Sequence, residues 1–372
     1  MNVKRMIGLL SGIFAAATVY AASVPQIVSQ PNGQTVELGG NATFSVIAVN
    51  PEDAPVLEMI WCDPGIFEMG SPEEELGRGA NETQHQVILS KGFWIGKYEV
   101  TQAQYAAIMG INPSVEKFGH QYGVGENYPV YGVRWKDATN FCAKLTVLEK
   151  DAGRLPDGYE YMLPTEAQWE YACRAGTVRA FNSEKNLSNE IRCSNMNKVG
   201  WYLDNSDNQS HPVGERRINN WWIYDMHGNV AEWCRDCCDY SAGVVTSTYV
   251  DGISDPLSTS GDYHIMRGGA WNSYPGECRS ADRYYGGEPE EEGSYTHGFR
   301  VALVQVLSVS KPKAEEDFSI KLKQVSYQWK KDGIAIEDAT DATYMIENVG
   351  INDSGNYTVT IGNSAGSVTS SV

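Results

Sequence analysis

A chain of 372 residues with a formal charge of −18 and an apolar fraction of 42 % has room for two domains or one large one. Its acidity argues against binding nucleic acid through phosphates and against anionic membrane surfaces, and it favours divalent cations. After the first residues, no apolar stretch reaches the length of a membrane span.

Residues 1–22 read as a signal peptide. Lys4 and Arg5 form the charged start, and the apolar run Met6 to Val19 is too short for an anchor. Val19-Tyr20-Ala21 supplies the cleavage spacing. The mature chain is therefore expected to be exported: secreted, periplasmic or on the cell surface. Export makes the eight cysteines candidates for disulfides, namely Cys62, Cys142, Cys173, Cys193, Cys234, Cys237, Cys238 and Cys278. Spacing alone does not pair them. Cys234 and Cys237 form a single C-x-x-C with no second pair, which favours a disulfide over zinc.

Residues 23–53 alternate at 35–38 and 42–46, with turns at Asn32-Gly33 and Gly39-Gly40, and predict half-buried strands. Three helices follow. Thr101 caps a short one ending at Gly110, with Tyr105, Ile108 and Met109 inward. Residues 135–149 place Ala138, Phe141, Cys142, Leu145 and Leu148 on one face. Thr165 and Gln168 form a capping box that buries Trp169, Ala172 and Cys173. Residues 309–324 are charged and aperiodic and read as a linker. Residues 325–372 resume the strand pattern, with turns at Asp332-Gly333 and Gly362-Asn363.

Joined, the two ends resemble one immunoglobulin-like sandwich split between its second and third strands. Trp329 stands at the core tryptophan position, Asp353-x-Gly355-x-Tyr357 matches the tyrosine corner, and Val46 and Val359 occupy the usual cysteine positions. The alternative is two unrelated β tails. An insertion at an exposed loop is physically reasonable where the guest's ends lie close together.

Six phrases run in order through the middle: PGIFEMGS (64–71), FWIGKYEVTQAQY (93–105), LPTEAQWEYACRAGT (163–177), YDMHGNVAEW (224–233), MRGGAW (266–271) and HGFRVAL (297–303). Together they resemble the formylglycine-generating enzyme, or sulfatase-modifying factor, family. The resemblance implies an α+β, loop-rich, C-type-lectin-like domain over 54–308, inserted into the all-β immunoglobulin-like sandwich formed by 23–53 and 325–372.

In that family, oxidation of a substrate cysteine depends on two copper(I)-binding cysteines after the Gly-Gly-Ser phrase. Here GGAWNSYPGECRSADR (268–283) offers only Ser273 in their place. Serine is a poor copper(I) ligand, so neither copper nor the known oxidation is expected. Ala231, where tryptophan is usual, and Thr296-His297, where asparagine is usual, are further departures. The resemblance also implies calcium, held by the side chains of Asp225 and Glu232 and the carbonyls of Gly228 and Val230. It implies a Cys173–Cys278 disulfide. Cys142 matches a half-cystine whose partner position is Val301, so burial is the expectation for it. His227 lies beside the calcium phrase and could face solvent.

Trp271, Asn272, Arg279, Arg283 and Arg300 are the candidate cleft residues. The favoured reading is a calcium-stabilised binding or scaffold module for a protein, peptide or carbohydrate ligand. The alternative is an oxidase of cysteine in a protein substrate, using another thiol such as Cys234, Cys237 or Cys238. A third, a purely structural surface module, predicts no cleft. An open groove beside Ser273 is the observation that separates them.

Overall fold

The computed structural model describes residues 26–29, 42–45, 47–49, 57–239, 248–286, 293–306, 326–340, 343–346, 349–363 and 366–370. The signal peptide, the alternation at 35–38, Val46 and the linker 309–324 lie outside the described residues.

Helix α1, Gln102–Met109, starts where Thr101 and Gln104 satisfy each other's backbone amides, and it stops at Gly110 in the left-handed region. It buries Tyr105 and Ile108, and Met109 is partly buried beside them. Helix α2, Pro113–Phe118, was not anticipated, although Asn112 caps it and Pro113 opens it. Helix α3, Trp135–Asp151, buries Ala138, Phe141, Cys142 and Leu145 as expected. Leu148 departs from the expectation and is 36 % exposed. At about 100° per residue, Leu148 falls to one side of the buried stripe and Glu149 falls on it. Glu149 is accordingly buried and paired with Arg154 at 2.9 Å. Helix α4, Glu166–Arg174, is capped by the Thr165–Gln168 box and buries Trp169, Ala172 and Cys173.

Three small sheets carry the remaining framework of residues 57–306. In the first, Phe93–Gly96 lies between Met59–Cys62 and Ala302–Gln305, and Tyr159–Met162 completes the order. The chain thus enters and leaves this unit on strands either side of one neighbour, the close approach an inserted domain needs. The second sheet orders Tyr284–Gly286, Tyr263–Arg267, Ala231–Cys238 and His297–Gly298. The third orders Ile253–Ser254, His85–Leu89 and Gly65–Met69. One core cluster gathers Phe93, Ile95, Trp169 and Ile265. A second gathers Tyr105, Phe141, Leu145, Trp233 and Phe299.

The ends of the chain meet. Ala42–Ser45 pairs antiparallel with Thr343–Ile346, so strands more than 290 residues apart share one ladder. Ser326–Lys331 pairs with Tyr357–Asn363, which pairs with Gly366–Thr369. Trp329 is fully buried with Val359 and Ile361, and the Tyr357 hydroxyl donates to the Asp353 carbonyl at 2.7 Å.

Candidate functional site

The strand Tyr263–Arg267 runs into Gly268 and Gly269, both in the left-handed region at φ 92° and 67°. A Cβ on Gly269 would lie 2.7 Å from the Cys278 sulfur and 2.7 Å from the Glu277 carbonyl, so only glycine fits. The turn that follows is closed by Ser273. Its Oγ accepts from the Ala270 amide at 3.1 Å, and its own amide donates to the Ala270 carbonyl at 2.9 Å.

Beside this turn opens a pocket of about 330 Å³. Asn272, Ser273, Glu277, Asp282, Tyr284, Tyr295 and His297 line it, together with Ala231, where the resemblance leads one to expect tryptophan. A groove is therefore present where the purely structural reading predicted none. Trp271 stands behind it, 4 % exposed, with Tyr122 and Tyr295 ring centroids 5.4 Å and 5.7 Å away.

Burial drives the His297 imidazole down to about 4, so the ring is neutral at neutral pH. Trp233 and Tyr284 flank it edge to face. Burial also pushes the Asp282 carboxyl up to about 7, with Arg279 opposing and Glu82 adding to the rise.

Three of the candidate cleft residues are elsewhere. Arg279 donates to Glu75 at 2.9 Å and to Glu82 at 2.7 Å. Arg283 grips Glu166 at 2.7 and 2.9 Å. Arg300 grips both Glu232 oxygens at 2.5 Å. All three side chains are fully buried, and a guanidinium in the interior needs a carboxylate to offset its lost hydration. They hold the fold together and do not line the pocket. Glu277, Asp282, Tyr295 and His297 line it without standing among the candidates of the sequence, and Tyr284 is one of the sequence's aromatic candidates for a groove. The Thr296-His297 departure was the other signal for this wall.

All eight cysteines are free thiols, so the Cys173–Cys278 bridge implied by the resemblance is not formed. The His227 ring touches both residues. Its Nδ1 donates to the Cys278 carbonyl at 2.8 Å, and its Nε2 lies 3.9 Å from the Cys173 sulfur. Nε2 also accepts from the Asn182 amide at 3.1 Å, which fixes the proton on Nδ1. His227 is fully buried rather than solvent-facing, and burial holds its imidazole near 4. Cys142 is buried in α3 as expected, its thiol pushed up by desolvation.

Residues 43–304 match the sulfatase-modifying factor enzyme 1-like domain. The chain belongs to this family. A chaperone protein LppX of Paenibacillus barcinonensis is 31 % identical over 235 residues, covering 50 % of this chain and 74 % of that one. The formylglycine-generating enzyme of Mus musculus is 23 % identical over 279 residues, covering 61 % and 70 %. The serine/threonine-protein kinase pkn1 of Chlamydia pneumoniae is 28 % identical over 272 residues, covering 68 % of this chain but only 39 % of that one. The solved structure of Treponema denticola variable protein 1 superposes with a TM-score of 0.53 at 25 % identity, covering 70 % of this chain and 98 % of that one.

Against the family's metals, the residues divide. Copper(I) wants thiolates, and no cysteine lines the pocket, so the residues present do not fit it. Cys278 lies nearest in sequence and is fully buried behind Gly269. At the calcium phrase, a Cβ on Gly228 would lie 1.9 Å from the Trp201 carbonyl, and φ there is 81°, so this position also requires glycine. Asp225 Oδ2 accepts from the Gly214 amide at 2.7 Å, while its Oδ1 is buried without a partner. Val230 donates its amide to Glu99 at 3.0 Å. Glu232 is committed, accepting from Arg300 and from the Trp169 indole at 2.6 Å. Burial, then the neighbouring Asp225 and Glu232, hold the Glu99 carboxyl well above its ordinary range. Asp225 thus keeps a free hard oxygen of the kind calcium takes. Among the described residues, no three metal-ligating side chains converge.

Proposed function

We propose that this chain is an exported binding module on the sulfatase-modifying fold, without copper-dependent cysteine oxidation, carried by an immunoglobulin-like domain built from its two ends. The observation that carries the reading is a pocket beside Ser273 whose wall includes no thiol. The pairing of Ala42–Ser45 with Thr343–Ile346, the buried Trp329 and the Tyr357 corner support the immunoglobulin-like host. The signal-peptide pattern of 1–22 supports export. The chaperone name of the Paenibacillus relative favours a protein or peptide ligand. Carbohydrate is the other class suited to an aromatic, hydroxyl-bearing wall.

The opposing reading, an oxidase with a non-standard site, needs the sulfur of Cys234, Cys237 or Cys238 in the pocket, and none of these lines it. Purified protein loaded with copper(I) is expected to leave a cysteine-containing sulfatase-motif peptide unchanged by mass spectrometry. Formylglycine product would overturn the binding-module reading.

Calcium belongs to the same proposal. Glu99, Asp225 and Glu232 face the guanidinium of Arg300, and burial raises the Glu99 and Asp225 carboxyls, so a calcium ion would take the place of protons there. Asp225 Oδ1 with the carbonyls of Gly228 and Val230 would hold the ion, with Glu232 kept in place by Arg300. Calcium at a hundred times its Kd is expected to stabilise the protein by about 2.7 kcal/mol. A melting temperature raised by several degrees in wild type and unmoved in Asp225→Asn is the predicted result. A wild type indifferent to millimolar calcium sinks this part.

A further inference from the structure

The pocket beside Ser273 has walls of two kinds. One is aromatic: Tyr284, 51 % exposed, and Tyr295, stacked on Tyr122 with centroids 4.5 Å apart. The other is acidic: Glu277 and Asp282. Among the described residues, none that lines the pocket is arginine or lysine, and His297 is neutral at neutral pH.

The acidic wall is short of positive charge. Glu277 Oε2 accepts from a neutral donor, the Tyr274 amide, at 2.8 Å, and among the described residues no cation pairs with it. The cation nearest the Asp282 carboxylate is Arg279, whose Nη2 stands 3.6 Å from Oδ1, beyond hydrogen-bond length; Arg267 also lends it positive charge, but gives its hydrogen bond to the Asp282 backbone carbonyl. The Arg279 guanidinium already serves Glu75 and Glu82 at 2.9 and 2.7 Å. Glu75, Glu82 and Asp282 thus surround Arg279, and Asp282, on the pocket wall, is the one of the three that it does not hydrogen-bond. Its side chain is only 22 % exposed, so water meets little of its charge.

We infer that this pocket takes an alkylammonium group on an apolar stem, either a lysine side chain of a peptide or a free amine of the same shape. The inference rests on the binding-module reading and names its ligand chemistry. An ammonium between Glu277 and Asp282 supplies the missing charge, and its methylene stem lies along tyrosine faces that attract cations. A neutral sugar suits the aromatic wall equally but relieves none of the charge excess. The net charge of −18 draws cationic ligands from a distance.

The test is calorimetric titration of the full-length protein with three probes: Nα-acetyl-lysine methylamide, its Nε-acetylated form, and methyl N-acetylglucosaminide. The lysine probe is expected to bind, to weaken about tenfold on Nε-acetylation, and to weaken with added salt. Butylamine, run alongside, separates a free amine from a peptide-borne lysine. Glu277→Gln, at an exposed position, should leave the melting temperature unchanged and weaken the lysine probe, as should Asp282→Asn and Tyr284→Ala. Equal affinity for the acetylated probe, or no detectable binding of the lysine probe, overturns the inference. Sugar binding without lysine binding also overturns it and leaves the binding module standing. Formylglycine formation in the copper assay removes that module instead.

Discussion

Arg300→Met is expected to be the most destabilising single substitution in the domain. Arg300 is fully buried and donates to both Glu232 oxygens, to the Gly96 carbonyl at 2.9 Å and to the Tyr224 carbonyl at 3.1 Å. Its removal leaves Glu99, Asp225 and Glu232 without their shared cation, in an interior where burial already raises two of those carboxyls. Breaking one buried pair costs about 3–5 kcal/mol, and two orphaned carbonyls add to that. For a domain of this size the melting temperature should fall by roughly 10 °C or more. Circular dichroism melts measure it. A loss under 2 °C would show that the network is hydrated and not held dry in the interior. The double change Arg300→Met with Glu232→Leu removes charge from both sides and should recover part of the loss, because an apolar pair of similar volume replaces the ion pair.

The contrast between Arg300 and Thr165 shows what was legible in the sequence. Thr165 and Gln168 are three residues apart, and their capping chemistry is local, so α4 was read correctly at its start. Asn112 and Pro113 carried the same kind of signal for α2 and were overlooked. Arg279, Arg283 and Arg300 are candidates both for the cleft and for pairing with core carboxylates, because sequence shows a charge but not a partner. Those partners lie far away: Glu82 is 197 residues from Arg279, and Glu166 is 117 from Arg283. Burial of so many arginines was not readable from composition, since the unpaired alternative puts them on the surface.

His227 is buried for a backbone reason. Asp225, Gly228 and Asn229 all take positive φ, at 57°, 81° and 65°, and this tight run turns the imidazole inward. Alternation rules assume a regular strand or helix and fail in such a segment. The pocket shows the same limit. The Gly-Gly phrase located Ser273, but the facing wall comes from Tyr284, Tyr295 and His297, and nothing in their local spacing pointed to a shared cavity.

The second large effect is expected at Arg279, and pH separates its causes. Arg279 bridges Glu75, Glu82 and the Gly77 carbonyl, tying the loop after Met69 to the segment that forms the acidic pocket wall. Arg279→Met should cost about 3–5 kcal/mol at neutral pH. In the parent, hydrogen bonds and charge from Arg279 outweigh desolvation and hold the Glu82 carboxyl below its ordinary range. A depressed carboxyl contributes stability that is present above its unfolded pKa and is lost as pH falls through the folded value. Without Arg279, only the Ser71 hydroxyl and the Gly79 amide oppose burial, which is the largest influence, so the same carboxyl is expected to rise, reversing the sign: stability is then lost as pH rises. The gap between parent and variant should therefore be widest near pH 7 to 8 and narrow towards pH 4, where Glu82 and Glu75 are protonated in the variant. Melting temperatures across that range decide it. A gap that stays constant with pH would mean that Arg279 acts by filling space and not by its charge.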